Sequence, residues 1–154
     1  MNIVRYWMSK IKLPTLLAIT DNPSVRYWIK KHLDEEFFII DATKKSSAIV
    51  AAQTASLDFI IVDSELEDCD PLELCGELRR ILRTLTPILL ITGRLKKSFR
   101  EEALQAGVTS FLADQLDFEE LQSRIEEGTK AASLRQKTEE IGIAFKRKNK
   151  PSDL

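Results

Sequence analysis

Thr20 with Asp21, Asp63, Thr92 and Asp114 share one kind of position: each is a polar residue that closes a short apolar run. Asp21 and Asp63 are two carboxylates of the sort that suit a hard divalent cation such as Mg²⁺, which takes oxygen ligands and keeps several waters. A hydroxyl at Thr92 can donate to a phosphoryl oxygen, and Gly93 after it leaves room above the hydroxyl. Singly, each of these residues has an ordinary explanation, because an Asp or Asn after a strand commonly caps a helix or forms a turn. The shared placement is what carries the functional expectation. The sequence holds no Ser-His-Asp arrangement, Gly-rich phosphate loop or metal-binding Cys/His cluster, so a conventional enzyme is not expected.

Positioning these groups together needs a repeated strand-then-helix frame, and the apolar pattern supplies one. Residues 16–20 form an apolar segment running into Asp21, Asn22 and Pro23, where Asn22 suits an N-cap and Pro23 a first helical position. Val25, Trp28, Ile29 and Leu33 then recur with a helical period. Residues 37–40 read as a second strand and 47–55 as a small-residue helix. Phe59-Ile60-Ile61-Val62 is apolar throughout, the mark of a strand covered on both faces, and it delivers Asp63. A helix from Pro71 turns Leu72, Cys75, Leu78 and Leu82 inward. Residues 87–92 form a fourth buried strand; Ser98 is expected to cap a helix that ends at Ala106 and Gly107, the glycine taking a left-handed turn. Residues 110–113 form a fifth strand, and Asp117 caps a helix carrying Leu121 and Ile125. Alternation of this kind predicts a parallel α/β sheet with right-handed crossovers and a site at the carboxyl ends of its strands.

The 154-residue length suits one domain with a tail, since domains commonly run to roughly 100–200 residues. Three segments are expected: an amphipathic stretch at 1–13, the main domain at 14–128, and a helical or partly disordered basic tail at 129–154. The tail reads as a frayed helix, with Gly128 and Gly142 as its weak points. No apolar run approaches the roughly 20 residues of a membrane span. The N-terminal stretch, too short and polar for a secretory signal, reads as an apolar cap rather than a membrane-surface helix. A formal net charge of −1 argues against a dedicated nucleic-acid surface. Cys69 and Cys75 have neither zinc nor redox spacing and read as reduced thiols of a cytoplasmic protein, with Cys75 in the core. His32, Arg26 and Lys30 read as solvated surface.

Several stretches together resemble the response-regulator receiver domain of the CheY-like superfamily. Leu57-Asp58-Phe59-Ile60-Ile61-Val62-Asp63-Ser64-Glu65-Leu66 is similar to the family's phosphoacceptor strand, and Asp70-Pro71-Leu72-Glu73-Leu74-Cys75 continues its frame. Pro87-Ile88-Leu89-Leu90-Ile91-Thr92-Gly93 is similar to the fourth strand. Gly107-Val108-Thr109-Ser110-Phe111-Leu112, with Asp117-Phe118-Glu119-Glu120-Leu121, is similar to the fifth strand and last helix. The likeness covers about 14–128. It implies a doubly wound, flavodoxin-like α/β fold with five parallel strands in the order 2-1-3-4-5, here with a C-terminal helical extension. It also implies that Asp63 is the phosphoacceptor and that Asp21, Asp63 and the Glu65 carbonyl contact Mg²⁺. Thr92 would be the switch hydroxyl, and Phe111 the aromatic that couples the site to the surface formed by the fourth helix, fifth strand and fifth helix.

Three departures change what that resemblance promises. The family has paired acids after the first strand, where this chain has Thr20 and Asp21. It has Lys-Pro after the fifth strand, where this chain has Asp114 and Gln115, and Glu67 stands where a proline is usual. The missing acid weakens Mg²⁺ binding, and Asp114 puts a negative charge where a cation should meet the phosphoryl group. Two like charges a few ångströms apart repel by about 1–4 kcal/mol, depending on the effective dielectric. Arg94, Lys96 and Lys97 are the candidate replacement cations. The expected function is that of an atypical stand-alone receiver in two-component-type signalling, with phosphorylation of Asp63 weak, slow or absent. It would work by docking a histidine kinase or another signalling protein. One alternative is a working phosphoacceptor that takes a phosphoryl group from a histidine kinase. A second is a structural module that homodimerises through the last helix and its extension, using Leu121, Ile125, Leu134 and Ile141. No output domain follows residue 128 in the sequence, so any effect is expected to pass through another chain.

Overall fold

The computed structural model describes Ile3 and residues 13–82, 85–94 and 96–148. The readings made for the rest of the N-terminal stretch and for the last few residues lie outside this set. Strands β1 (Thr15–Ile19), β2 (Phe38–Ala42), β3 (Phe59–Asp63), β4 (Ile88–Thr92) and β5 (Ser110–Ala113) alternate with five helices. These are α1 (Pro23–Leu33), α2 (Lys45–Thr54), α3 (Pro71–Ile81), α4 (Lys97–Gln105) and α5 (Phe118–Lys148). The strands form one parallel sheet in the order β2-β1-β3-β4-β5, as the resemblance implied.

Alternation along each strand sorts the core into two layers. Leu16, Ala18, Phe59, Ile61, Leu89 and Ile91 pack with Ile29 and Leu33 of α1 and with Leu121 and Ile125 of α5. Leu17, Ile19, Ile60, Val62 and Leu90 pack on the other side with Ala48, Leu74, Cys75, Leu78 and Ala103. With apolar cover on both faces, the central strands place only their carboxyl ends within reach of polar chemistry.

Local signals explain most of the helix starts. Asn22 accepts from the Ser24 N–H at 2.9 Å ahead of Pro23. Asp70 accepts from the N–H groups of Leu72 and Glu73 ahead of Pro71. Asp117 accepts from the Glu120 N–H. Gly107 closes α4 with φ of 104°, and a Cβ there would meet the Arg79 side chain at 2.9 Å.

Four expectations need correction. Helix α2 starts at Lys45, two residues before Ser47, because Asp68 from the β3–α3 loop accepts the Lys45 N–H at 3.3 Å. Ser98 does not cap α4; Lys96 is the last extended residue and Ser98 lies inside the helix. His32 is not a solvated surface group, whereas Lys30 is exposed as expected. The His32 ring lies between Trp28 and Phe118, bridging α1 and α5, and Lys30 pairs with Asp41. Finally, α5 runs unbroken through Gly128 and Gly142 to Lys148. At Gly128 the helix passes so close to Phe59 and Pro87 that a Cβ would sit 3.0 and 3.1 Å from them, so this glycine serves a close approach.

Candidate functional site

The parallel register brings the polar strand ends level. Ile19 pairs with Val62, Asp63 with Ile91, and Thr92 with Ala113. One residue further along β1 and β3, Thr20 and Asp63 therefore face each other. Both are buried, Thr20 at 1% and Asp63 at 5% exposure, and the Thr20 hydroxyl donates to Asp63 Oδ2 at 2.7 Å. The other carboxylate oxygen, Oδ1, accepts the Glu65 N–H at 3.0 Å. Thr20 Oγ1 in turn accepts the Asn22 N–H at 3.1 Å, which fixes the direction of its proton toward Asp63.

Asp21 stands beside this pair, and its Oδ2 accepts the Glu67 N–H at 3.0 Å, tying the end of β1 to the β3–α3 loop. Asp21, Ser64, Glu65, Glu67 and Arg94 border an open depression of about 590 Å³ next to Asp63. The Ser64 hydroxyl is buried there without a hydrogen-bond partner. Thr92 is 1% exposed, and its Oγ1 accepts the Arg94 N–H at 3.0 Å in a local turn.

Asp114 leans back over the β4–α4 turn. Its Oδ2 lies where a Cβ on Gly93 would come within 2.6 Å, so the bare glycine is what lets the carboxylate settle there. None of the candidate replacement cations forms an ion pair with Asp63 among the described residues. The Arg94 guanidinium lies 5.4 Å from the centre of the Phe99 ring, and Lys97 is paired with Glu101. Lys96 is exposed. Phe111 is half-buried, with the Arg100 guanidinium 5.9 Å from its ring centre and its carbonyl accepting Arg124 Nε at 3.2 Å.

The structure thus gathers Asp21, Asp63, Glu65 and Thr92 at one end of the sheet, with Asp114 on its rim and Phe111 on the neighbouring strand. Asp21, Asp63 and the Glu65 carbonyl are the oxygen groups that could hold Mg²⁺ at this end of the sheet. No group of three or more metal-ligating side chains occurs among the described residues. Both oxygens of Asp63 and one of Asp21 already accept protein hydrogen bonds. The sequence marked Thr20 only as the loss of an acid; its role as donor to Asp63 follows from the equal offsets of two neighbouring parallel strands. Ser64 carried no sequence signal at all.

Comparison with known proteins agrees with this fold. Residues 16–126 match the family model described as the response regulator receiver domain. Among curated proteins, the chain is 28% identical over 111 residues to the transcriptional regulatory protein TcrA of Mycobacterium tuberculosis, covering 71% of this chain and 44% of that one. It is 24% identical over 119 residues to the transcriptional regulatory protein ResD of Bacillus subtilis, covering 77% and 49%. The chain thus spans less than half the length of both relatives. Among solved structures, a CheY-like receiver domain protein from Methanospirillum hungatei matches with a TM-score of 0.74 at 17% identity, covering 80% of this chain and 99% of that one. A response regulator from Burkholderia pseudomallei, solved with a phosphorylated aspartic acid, calcium ion and citrate, matches with a TM-score of 0.68 at 22% identity, covering 81% and 72%.

Proposed function

Since the chain belongs to the response regulator receiver domain family, we propose that it is an atypical receiver that signals by docking a partner protein while Asp63 takes up phosphate weakly or not at all. The receiver assignment itself gives the coarse role, signal transduction of the two-component type. The observation that carries the finer reading is the Thr20–Asp63 hydrogen bond. It gives a buried carboxylate a protein donor in place of the second acid that would help hold a cation.

Two further features support it. Asp63 has no basic partner among the described residues, and Asp114 contributes a negative charge on the rim of the site. A phosphoryl group on Asp63 would add roughly one to two negative charges at neutral pH. With no cation paired to Asp63 among the described residues, that product is disfavoured.

Within this reading, residues 14–128 act as the receiver unit and 129–154 as an appended helical, basic segment. The partner is a histidine kinase or another signalling protein rather than nucleic acid, in keeping with the net charge of −1. Free Cys69 and Cys75 suit the cytoplasm. No helix among the described residues is long and apolar enough to cross a membrane.

Incubation of the chain with Mg²⁺ and acetyl phosphate, followed by intact-mass measurement, tests the proposal. The expected result is little or no phosphoryl adduct. Rapid stoichiometric modification that Asp63→Asn abolishes would instead establish a working phosphoacceptor.

A further inference from the structure

We propose that residues 1–12 fold back on their own chain and cover an apolar depression at the amino ends of β1 and β2, the end of the sheet away from Asp63. The contact is independent of the chemistry of Asp63. Leu13, Phe38, Ile40 and Ala55 border this depression of about 480 Å³, and Asp58 stands on its rim. Phe38 is 61% exposed and Leu13 39%. Exposed apolar groups clustered inside a polar rim mark a contact surface. At Pro14, Ala55 and Ser56 the depression joins a longer groove that passes Phe37 and Leu57 toward α5.

Connection points to the occupant. The chain enters the domain at Leu13 and Pro14, which are themselves walls of the depression. Continuing the pairing of Thr15 with Phe38 sets position 13 beside 36 and position 12 beside 35. The stretch 1–12 therefore starts at the surface it would cover, and so short a tether gives an effective concentration in roughly the millimolar range. It carries Tyr6, Trp7, Met8 and Ile11, and its charged side chains are Arg5, Lys10 and Lys12, with no acid among them. Tyr and Trp suit a half-wet apolar surface, because each pairs an apolar ring with one polar atom. Ile3 is 72% exposed and is not one of the covering residues.

Charge points the same way. From Lys31 to Glu36 the chain sets one lysine against Asp34, Glu35 and Glu36, a net of −2, and Asp58 adds a further carboxylate. None of these four acids enters an ion pair among the described residues. Helix α2 also ends here, at Thr54, with no basic residue in its last turn to offset the negative end of its dipole. The basic residues on other elements lie elsewhere. Lys130, Arg135 and Lys137 are on α5, whose main sheet contact is β5, and Arg80 is on α3, whose main one is β3. The β2 side is thus acidic where the stretch 1–12 is basic. A second copy would bring the same residues without the tether, so protein concentration separates the two.

Acrylamide quenching of Trp7 in the full chain reads the contact, with Trp28→Phe leaving Trp7 as the one tryptophan. We expect Trp7 to be quenched at least about threefold less readily than a free tryptophan amide, at every protein concentration. Phe38→Ser should restore ready quenching. So should Lys10→Glu combined with Lys12→Glu, changes outside the domain that leave its folding intact. Val50→Ser, on a residue 56% exposed but outside the depression, should change nothing. Trypsin cleavage after Lys10 and Lys12, followed by intact mass in the chain with both tryptophans, should likewise be faster with Phe38→Ser. Circular dichroism of that variant, expected to match the parent, separates release of the stretch from misfolding. Ready quenching of Trp7 in the parent, or protection that survives Phe38→Ser, would overturn the inference. Protection that grows with protein concentration would overturn it too, by assigning the surface to a second copy.

Discussion

The Thr20 hydroxyl donates to Asp63 Oδ2 across 2.7 Å in a site where both residues are buried. A buried carboxylate is costly unless its lone pairs are met, and a hydrogen bond to a charged group contributes about 1.5–3 kcal/mol. Thr20→Val keeps the branched shape but removes the donor. We expect it to lower the unfolding free energy by about 1–3 kcal/mol, read by urea denaturation. A double-mutant cycle with Asp63→Ala should show that Thr20→Val costs little once the carboxylate is gone. An equal cost in both backgrounds would place the effect in packing and not in this bond.

The same pair sets the chemical prediction. Thr20→Asp returns a carboxylate beside Asp21, and Asp114→Lys replaces a negative group over Gly93 with a positive one. The double variant should take phosphate from acetyl phosphate with Mg²⁺ at least about tenfold faster than the unaltered chain. That corresponds to about 1.4 kcal/mol of barrier, modest for the gain of two charge contacts. Intact mass against time gives the rate, and Asp63→Asn in the same background should abolish the adduct. A double variant no faster than the parent would mean that other residues hold the site inactive.

The parallel sheet and the strand-end positions of Asp21, Asp63 and Thr92 could be read from local pattern, whereas the strand order came from the resemblance to the receiver family. Phe59-Ile60-Ile61-Val62 must be covered on both faces, and any residue ending such a strand lies at the site edge. Non-local features could not be read this way. Asp68 caps α2 from a loop 23 residues away, which moved the helix start to Lys45. Asp114 turns over Gly93 because the glycine leaves space, a fact of two loops meeting. His32 looked solvated on its own helix, yet Phe118 of α5 supplies the second ring against it.

The cysteines give a pH prediction of definite sign. Burial pushes the Cys75 thiol up to about 12 from an ordinary value of 9.0. Below pH 9.0 the thiol is protonated in both folded and unfolded chains and nothing is lost. Above it the unfolded chain ionises first, so this contribution to stability falls as pH rises toward about 12. Cys75→Val removes the titrating group from the core, and its stability should therefore decline less than the parent's between pH 9 and 11. Denaturation midpoints measured across that range, with Cys69 present in both proteins, check it. Parallel curves would show that Cys75 does not carry the alkaline loss.

Gly128 and Gly142 lie in one helix and should respond oppositely to the same change. A Cβ at Gly142 meets nothing within 4 Å, whereas one at Gly128 would meet Phe59 at 3.0 Å and Pro87 at 3.1 Å. Both substitutions gain helix propensity, about 0.8–1 kcal/mol for alanine over glycine. At Gly142 that gain stands alone, so Gly142→Ala should raise helicity by circular dichroism and leave the domain's unfolding midpoint unchanged or slightly higher. At Gly128 the propensity gain is opposed by crowding against a core aromatic and a proline ring, and overpacking of this kind typically costs about 1–3 kcal/mol. Gly128→Ala should therefore lower the midpoint. Phe59→Leu in the Gly128→Ala chain should recover part of that loss, because it removes the ring edge nearest the new methyl group. If Gly128→Ala stabilises as Gly142→Ala does, the helix can shift off the sheet at its root and the close approach at Phe59 is not what requires the glycine.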